Sequence, residues 1–280
     1  MDTIRRNQNS VKTYLALIII IAGFCLASPG TAEAAVEVDA VSSNSTAGIS
    51  ITIPHTTSGT NRLMLVGVSF NNNGLETVTG VTYNSVALTF VGTIRNVDDA
   101  RVEIWRLIAP DTGTHDVVVT FSADLLQEGF AGVVTFTGVH QTTPLGTFAS
   151  AAADGITATV NVSSATGELV FDVLAAEYST SATVGAGQTQ RWNIILTGSI
   201  GAGSTEPGAA TVTMSWTLTA AGDHWAIGGV PIKPAAALAL SNWSYRKKIT
   251  IDNTKVSANL TNFPVLINLS SDSDLLKQGN

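Results

Sequence analysis

The sequence predicts an all-β protein, an antiparallel β-sandwich of jelly-roll type. Three observations favour this fold class. Asp, Glu, Lys and Arg make up only 12% of the residues, about half the usual share, and Thr, Ser, Asn and Gly take their place. Short apolar or alternating runs, separated by turn residues, follow one another through residues 36–233. No segment keeps the roughly 3.6-residue period of an amphipathic helix.

The pattern within individual runs predicts where strands lie in the sandwich. Residues 63–68 and 169–174 are apolar on both faces, which indicates central strands covered on each side. In residues 211–218, Val212, Met214, Trp216 and Leu218 alternate with hydroxyl residues and are expected to face inward. The predicted strands are residues 49–53, 62–70, 78–83, 87–91, 102–108, 117–121, 132–137, 156–162, 168–176, 211–217 and 225–232.

Turn residues predict the connections. Residues 101–122 read as a long β-hairpin, because the sequence APDTGT at 109–114 supplies a turn between two alternating runs. The glycine-rich residues 185–187 and 198–208, and the Asx-rich residues 71–74, read as loops at the ends of the sandwich.

The N-terminus has the pattern of a secretory signal peptide, residues 1–34. Three basic residues precede a short apolar run, and an Ala-x-Ala site ends at Ala34. We expect export by the general secretory route to the cell surface or medium, with the periplasm as an alternative and no membrane span after cleavage; an uncleaved anchor is the other interpretation. Cys25, the only cysteine, lies inside this segment, so the mature chain has no thiol for disulfides or catalysis.

The rest of the chain is predicted to divide into three parts. Residues 35–233 form the β-sandwich domain, and residues 234–242, rich in Ala, form a linker. Residues 243–280 begin a new pattern with two strand-like runs, at 243–252 and 263–269. A segment of this length is near the lower limit for independent folding. We therefore expect an incomplete start of a second β domain.

Several motifs occur in an order that resembles a family of secreted bacterial β-sandwich modules. They are GVTYNSVAL at 80–88, VEIW at 102–105, AP and GTH within 109–115, FTGV and QTTP within 136–144, and WAI and IKP within 225–234. Members of that family occur in large surface and extracellular proteins and in some phage-associated ones. The resemblance implies a module without catalytic residues.

The C-terminal segment resembles a different family. WSYRKKITI at 243–251, followed by NFPVLI at 262–267, is similar to the opening of an uncharacterised domain. That domain often occurs beside laminin-G-like lectin modules and in proteins labelled as biopolymer-transport components. The resemblance covers its first strands alone and implies no activity for this chain.

Paired catalytic groups are not apparent in the sequence. Hydrolysis of a glycan needs two carboxylates about 5–10 Å apart, whereas Glu168 and Asp172 are separated by about 13 Å along one predicted strand. We interpret Glu168 as a strand-end carboxylate, and Asp172 as a carboxylate that is hydrogen-bonded or lies at the edge of a strand ladder. The histidines at 55, 115, 140 and 224 are isolated in sequence, and we interpret them as turn or rim residues rather than metal ligands.

Two tryptophans are candidates for ligand contact. Trp105 shares a strand face with Arg101 and Glu103, a grouping that suits a sugar-stacking platform. Trp192 lies near a glycine-rich loop and is the second candidate. Packing in the core is the alternative for both, and it is the expected role of Trp216.

Calcium is the one cofactor that the sequence suggests. Asp98 and Asp99 offer hard oxygen ligands in a loop, although their spacing does not match a helix-loop-helix calcium site. Turn formation explains these residues equally well. The formal net charge of −7 disfavours a nucleic acid partner.

These observations lead to three hypotheses about function. The first is a non-catalytic structural or adhesive module of a larger secreted or cell-surface bacterial protein, with surface glycans or other surface modules as partners. The alternative is a carbohydrate-binding module that uses Trp105 or Trp192. The third is an accessory part of a polysaccharide-degrading enzyme.

Overall fold

The computed structural model describes residues 35–71, 76–96, 100–125, 127–219 and 224–236. The described residues form strands and turns without a helix, and their strands pair antiparallel, which confirms the predicted fold class. The predicted signal peptide, most of the predicted linker and residues 243–280 lie outside the described residues. The strands are β1 Glu37–Thr46, β2 Ser50–Thr57, β3 Leu63–Asn71, β4 Val78–Tyr83, β5 Val86–Ala87, β6 Thr89–Arg95, β7 Ala100–Ile108, β8 Gly113–Phe121, β9 Gly129–Thr137, β10 Ala149–Asp154, β11 Thr157–Ser163, β12 Leu169–Glu177, β13 Thr183–Val184, β14 Thr189–Leu196, β15 Ser199–Pro207, β16 Thr211–Thr217 and β17 His224–Ile232.

These strands form four sheets. Sheet 1 has the order β2-β8-β4-β5, and sheet 2 has the order β1-β9-β3-β7-β6. Sheet 3 has the order β10-β17-β12-β15-β14, and sheet 4 has the order β11-β16-β13. Sheets 1 and 2 come from the first half of the described chain, and sheets 3 and 4 come from the second half.

The second half repeats the topology of the first. Replacing β1 to β4 by β10 to β13, and β6 to β9 by β14 to β17, converts the order of sheet 2 into that of sheet 3. The same replacement converts the order of sheet 1 into that of sheet 4, except that the two-residue strand β5 has no counterpart. A β-bulge also recurs, between Phe90 and Gly92 in β6 and between Gln190 and Trp192 in β14. Each half alternates between two sheets in the jelly-roll manner. We call residues 37–137 the first jelly roll and residues 149–232 the second.

Three apolar clusters lie between successive sheets. One fills the first jelly roll and contains Val66 and Val119, and another fills the second and contains Met214 and Trp216. The third joins Leu65 of sheet 2 to Phe171 and Val173 of sheet 3. Sheets 2 and 3 are therefore buried on both faces, as predicted for residues 63–68 and 169–174, and the two jelly rolls share one core.

The predicted alternation in residues 211–218 is confirmed. Val212, Met214, Trp216 and Leu218 are buried, while Thr211, Thr213 and Thr217 are exposed. These hydroxyls lie on the outer face of sheet 4. Its cross-strand partners on β11 continue the uncharged surface, with Thr157, Thr159, Asn161 and Ser163 opposite β16.

The predicted hairpin over residues 101–122 is wrong. β7 pairs with β3 and β6 in sheet 2, whereas β8 pairs with β2 and β4 in sheet 1. The segment between them is a corner that crosses from one sheet to the other. Ala109 there has a φ of 50°, and the Tyr83 hydroxyl lies 3.1 and 3.2 Å from the carbonyl oxygens of Asp111 and Gly113. Turn residues mark a change of direction without specifying the sheet that the next strand joins.

The prediction of a loop over residues 198–208 is also wrong, because these residues include β15, which lies between β12 and β14. The glycines in this strand have a packing role. A Cβ atom at Gly201 would overlap Phe130, and one at Gly203 would overlap the Trp192 indole. Glycine is therefore placed where a neighbouring side chain approaches the backbone closely, rather than where the chain turns.

Candidate functional site

Arg101, Glu103 and Trp105 are joined by hydrogen bonds along one face of β7. Arg101 Nε and Nη2 lie 3.0 and 2.6 Å from Glu103 Oε1. Trp105 Nε1 donates a hydrogen bond of 3.0 Å to Glu103 Oε2. The structure thus brings together the three residues that the sequence places on one strand face. Their face of sheet 2 is turned towards sheet 1, since Trp105 packs against the core of the first jelly roll.

Glu103 is the buried centre of this group, with a side chain that is 2% exposed. Burial raises the pKa of its carboxyl group, while the charge and hydrogen bonds of Arg101, the Trp105 indole and the backbone N–H of Val78 act in the opposite direction. A buried carboxylate with these partners is satisfied. Its role is to hold the Arg101 and Trp105 side chains in fixed orientations.

An aromatic pair lies at the edge of sheet 2 next to this group. The rings of Phe90 and Trp105 are 5.2 Å apart at an interplanar angle of 69°, an edge-to-face arrangement. Phe90 is 46% exposed, and Trp105 is half-buried. Because β6 is the last strand of the sheet, this pair forms an aromatic surface at an open edge.

A groove of about 220 Å³ adjoins the aromatic pair. Its walls come from β6, from β7 and from the segment that precedes β10. The Phe148 ring is packed so closely against Gly92 and Gly228 that a Cβ atom at either position would overlap it. The lining residues are Phe90, Val91, Arg106, Leu145, Gly146 and Phe148.

The sequence does not single out Phe90, Arg106, Leu145 or Phe148. Residues 145–148 reach β6 because Leu145 bridges to Ile232 and the Gly146 N–H bonds to the Pro231 carbonyl. This long-range contact leaves no periodic signal in the sequence. Trp105 gives no signal for Arg106, because neighbouring residues of one strand point to opposite faces of the sheet.

The second jelly roll lacks this group of residues at the equivalent positions. Phe90 pairs with Trp105 before the bulge in β6, and Gln190 pairs with Ser204 before the bulge in β14. Arg106 of β7 pairs with Leu65 of the central strand β3, and Thr205 of β15 pairs with Phe171 of the central strand β12. Thr205 is therefore the equivalent of Arg106. The two copies share a scaffold, whereas the Phe90–Trp105 pair and an arginine at the position of Arg106 are particular to the first.

Trp192 lies in the core and not at a surface. It is 4% exposed and packs in the cluster shared by the two jelly rolls. Its indole occupies space that a Cβ atom at Gly132 or Gly203 would fill. A sugar-stacking platform needs an exposed ring face, so this position corrects the assignment of Trp192 as a ligand candidate. Packing in the core, the alternative named for Trp192, is the role that the structure shows.

Asp172 is a fully buried carboxyl group inside the second jelly roll. Its Oδ1 accepts hydrogen bonds of 2.7 Å from the N–H and hydroxyl of Ser204, and its Oδ2 accepts one of 2.8 Å from Trp216 Nε1. Burial raises the pKa of Asp172 to about 6, although these hydrogen bonds oppose the shift. Glu168 accepts hydrogen bonds from Ser164 Oγ and the Ala165 N–H. Asp172 is therefore the hydrogen-bonded carboxylate and not one at the edge of a ladder, and Glu168 directly precedes β12, as expected of a strand-end carboxylate.

A row of polar side chains crosses one end of sheet 3. Asp154 and Glu177 are both backbone partners of His224, and Glu177 is also the partner of Ser199. His224 Nδ1 lies 2.9 Å from Asp154 Oδ1, and Ser199 Oγ donates a 2.6 Å hydrogen bond to Glu177. The Tyr178 ring meets His224 edge-on, with centroids 5.5 Å apart. These contacts join the ends of four neighbouring strands.

The suggested calcium ligands Asp98 and Asp99 lie outside the described residues. In the part of the chain that the structure describes, no group of three or more His, Cys, Asp or Glu is placed to hold a metal ion. His55 is buried, with Nδ1 3.0 Å from Ser42 Oγ and Nε2 2.6 Å from Thr135 Oγ1. Burial lowers its pKa, and these contacts make it a structural histidine.

Comparison with known proteins finds no matching family model, curated protein or solved structure. The described residues also contain no helix of the length and hydropathy needed to cross a bilayer.

Proposed function

We propose that this chain is a non-catalytic adhesive module of a larger secreted or cell-surface protein, and that it contacts surface glycans at the β6–β7 edge. The observation that carries the proposal is the half-exposed pair of Phe90 and Trp105, whose indole N–H is held by buried Glu103. Aromatic rings stack on the apolar faces of sugar rings. A ring held in place beforehand loses little conformational freedom when it binds.

The scaffold supports this proposal, because recognition residues are placed most accurately on rigid elements. β7 lies between β3 and β6 in a sheet that is buried on both faces. Arg101 additionally lies 5.7 Å from the centre of the Phe70 ring. The side chains beneath the aromatic pair are therefore fixed by packing and by hydrogen bonds.

A purely structural spacer is the second candidate function. The observation in its favour is the core shared by sheets 2 and 3, which joins two jelly rolls into one unit. A fused unit of this kind resists bending between its halves, and it can hold neighbouring domains at a set distance without binding a ligand.

A glycan-binding screen with variants distinguishes the two candidates. We expect the secreted chain to bind at least one oligosaccharide from a panel of neutral and acidic glycans. Phe90→Ala and Trp105→Ala should each weaken that binding by about three- to tenfold, the range expected for one aromatic contact. Tyr178→Ala is the matched control, because Tyr178 is 60% exposed but belongs to the other jelly roll.

Trp105 also packs against the core, so its variant needs a folding control. Trp105→Phe keeps an aromatic ring and should retain most of the binding, and melting temperatures identify variants that fail to fold. Loss of binding in Tyr178→Ala to the same extent would contradict the assignment of the site. Absence of glycan binding in the unmodified chain would contradict adhesion through glycans and favour the spacer.

A further inference from the structure

Arg106 places a positive charge in the groove, and no acidic side chain among the described residues forms an ion pair with it. Its side chain is half-buried and lines the groove together with Phe90 and Phe148. Among the described residues, its guanidinium group makes no hydrogen bond or ion pair. A partly buried cation has lost some of its hydration, and an anion that enters the groove would compensate for this loss.

The other arginines near the two equivalent edges are engaged within the protein. Arg101 forms an ion pair with Glu103. In the second jelly roll, Arg191 Nε donates a 2.8 Å hydrogen bond to the hydroxyl of Thr205, the equivalent of Arg106. The jelly-roll scaffold is therefore stable with an uncharged residue at this position, and Arg106 is not needed to build it.

The edge strand β6 lines the same groove through Phe90 and Val91. β6 is the edge strand of sheet 2, and its register with β7 shifts between Phe90 and Gly92, so that Val91 is the bulged residue. A bulged residue is left out of the ladder, and the outer edge of an edge strand presents free N–H and C=O groups. Such groups can bond to the hydroxyls of a sugar ring.

We propose that this groove binds an acidic sugar residue, one that carries a carboxylate or a sulfate, within a polysaccharide. The guanidinium fork of Arg106 bonds to the anionic group in a bidentate manner, as suits planar anions. The Phe90 and Phe148 side chains contact the apolar face of the ring, and the β6 backbone contacts its hydroxyls. The inference rests on the proposed glycan contact and specifies the class of glycan.

The charge of the whole protein makes the proposal sharply testable. With a formal net charge of −7, the chain repels polyanions in general, and this repulsion disfavours non-specific binding. Binding of an acidic polysaccharide must then depend on a local site. A single local cation should account for most of the preference over neutral glycans.

The experiment measures dissociation constants of the secreted chain by titration calorimetry. The probes are an oligogalacturonate, which carries carboxylates, a sulfated oligosaccharide, and a neutral maltooligosaccharide of the same length. We expect at least one acidic probe to bind about tenfold or more tightly than the neutral probe. Arg106→Gln should remove that preference, since a charge-assisted hydrogen-bonded pair is lost. Comparison of the two acidic probes identifies the anionic group.

Arg95→Gln is the matched control, because Arg95 is an exposed cation at the end of the neighbouring strand β6 but does not line the groove. Its affinity should stay within about twofold of the unmodified chain, as expected for a screened surface charge. Equal losses in the two variants would show non-specific attraction and overturn the proposal. Equal affinity for neutral and acidic glycans would also overturn this proposal, although the proposed glycan-binding function would still hold. Binding of no probe would contradict both.

Discussion

Replacement of Trp216 by alanine should lower the free energy of unfolding by about 3–5 kcal/mol, the usual range for a large aromatic residue removed from a core. Trp216 is fully buried between sheets 3 and 4. Its removal leaves a cavity, and it deprives the buried Asp172 carboxyl group of one hydrogen-bond donor. Urea denaturation of the unmodified chain and the variant measures the change through the transition midpoint.

Trp105→Ala is the comparison for this prediction. Trp105 is half-buried and packs at the margin of its cluster, so its loss should destabilise the protein clearly less than the loss of Trp216. Equal losses at the two positions would place Trp105 in the core and exclude it from the proposed glycan contact.

Asp172 should make the stability of the protein fall as the pH rises from about 4 to about 6. Its pKa is raised from the ordinary value of 3.8 to about 6 in the folded chain, so the folded state holds this proton more tightly than the unfolded state does. The stabilising effect of the proton is complete below the unfolded pKa, and it is lost as the pH rises through the folded pKa. The difference amounts to about 3 kcal/mol.

The measurement compares the unmodified chain with Asp172→Asn at several pH values. Asparagine can still accept a hydrogen bond from Ser204, but its amide group opposes the Trp216 N–H, so the variant is expected to be less stable at every pH. The informative quantity is the difference in unfolding free energy between the two proteins. That difference should shrink by about 3 kcal/mol between pH 4 and pH 7; a constant difference would mean that Asp172 does not titrate in this range.

Much of the fold could be predicted because burial leaves a periodic pattern. Residues 63–68 and 169–174 have apolar residues on both faces, and β3 and β12 are indeed covered on both sides. The alternation in 211–217 gives the bounds of β16 without error. Strands β1, β10 and β14 escaped prediction, because an edge strand with mixed burial has no clear alternation.

The errors arise where a local pattern has a long-range cause. Gly201 and Gly203 resemble loop residues, yet they make room for Phe130 and Trp192. The turn at Pro110 resembles a hairpin, yet it connects two sheets. The repetition of the jelly roll is likewise visible in strand order and in the shared bulge, while the residues at equivalent positions have diverged.

The same distinction applies to the candidate site. Arg101, Glu103 and Trp105 could be grouped from the sequence, because alternate residues of one strand share a face. Phe90 and Phe148 could not, since they reach the site through cross-strand pairing and through the return of residues 145–148 to the edge of sheet 2. Arg106 becomes a candidate because the equivalent residue of the second jelly roll, Thr205, is uncharged. That equivalence can be recognised only from the strand pairing in the structure.

The central claim is that recognition belongs to the β6–β7 edge of the first jelly roll, while the second jelly roll carries the same scaffold without the site. Hydrogen–deuterium exchange of the purified protein, with and without a saturating acidic oligosaccharide, tests this claim most directly. We expect slower exchange in β6 and in residues 145–148, and unchanged exchange in the equivalent strand β14. Protection centred on β14, or equal protection of β6 and β14, would contradict the claim.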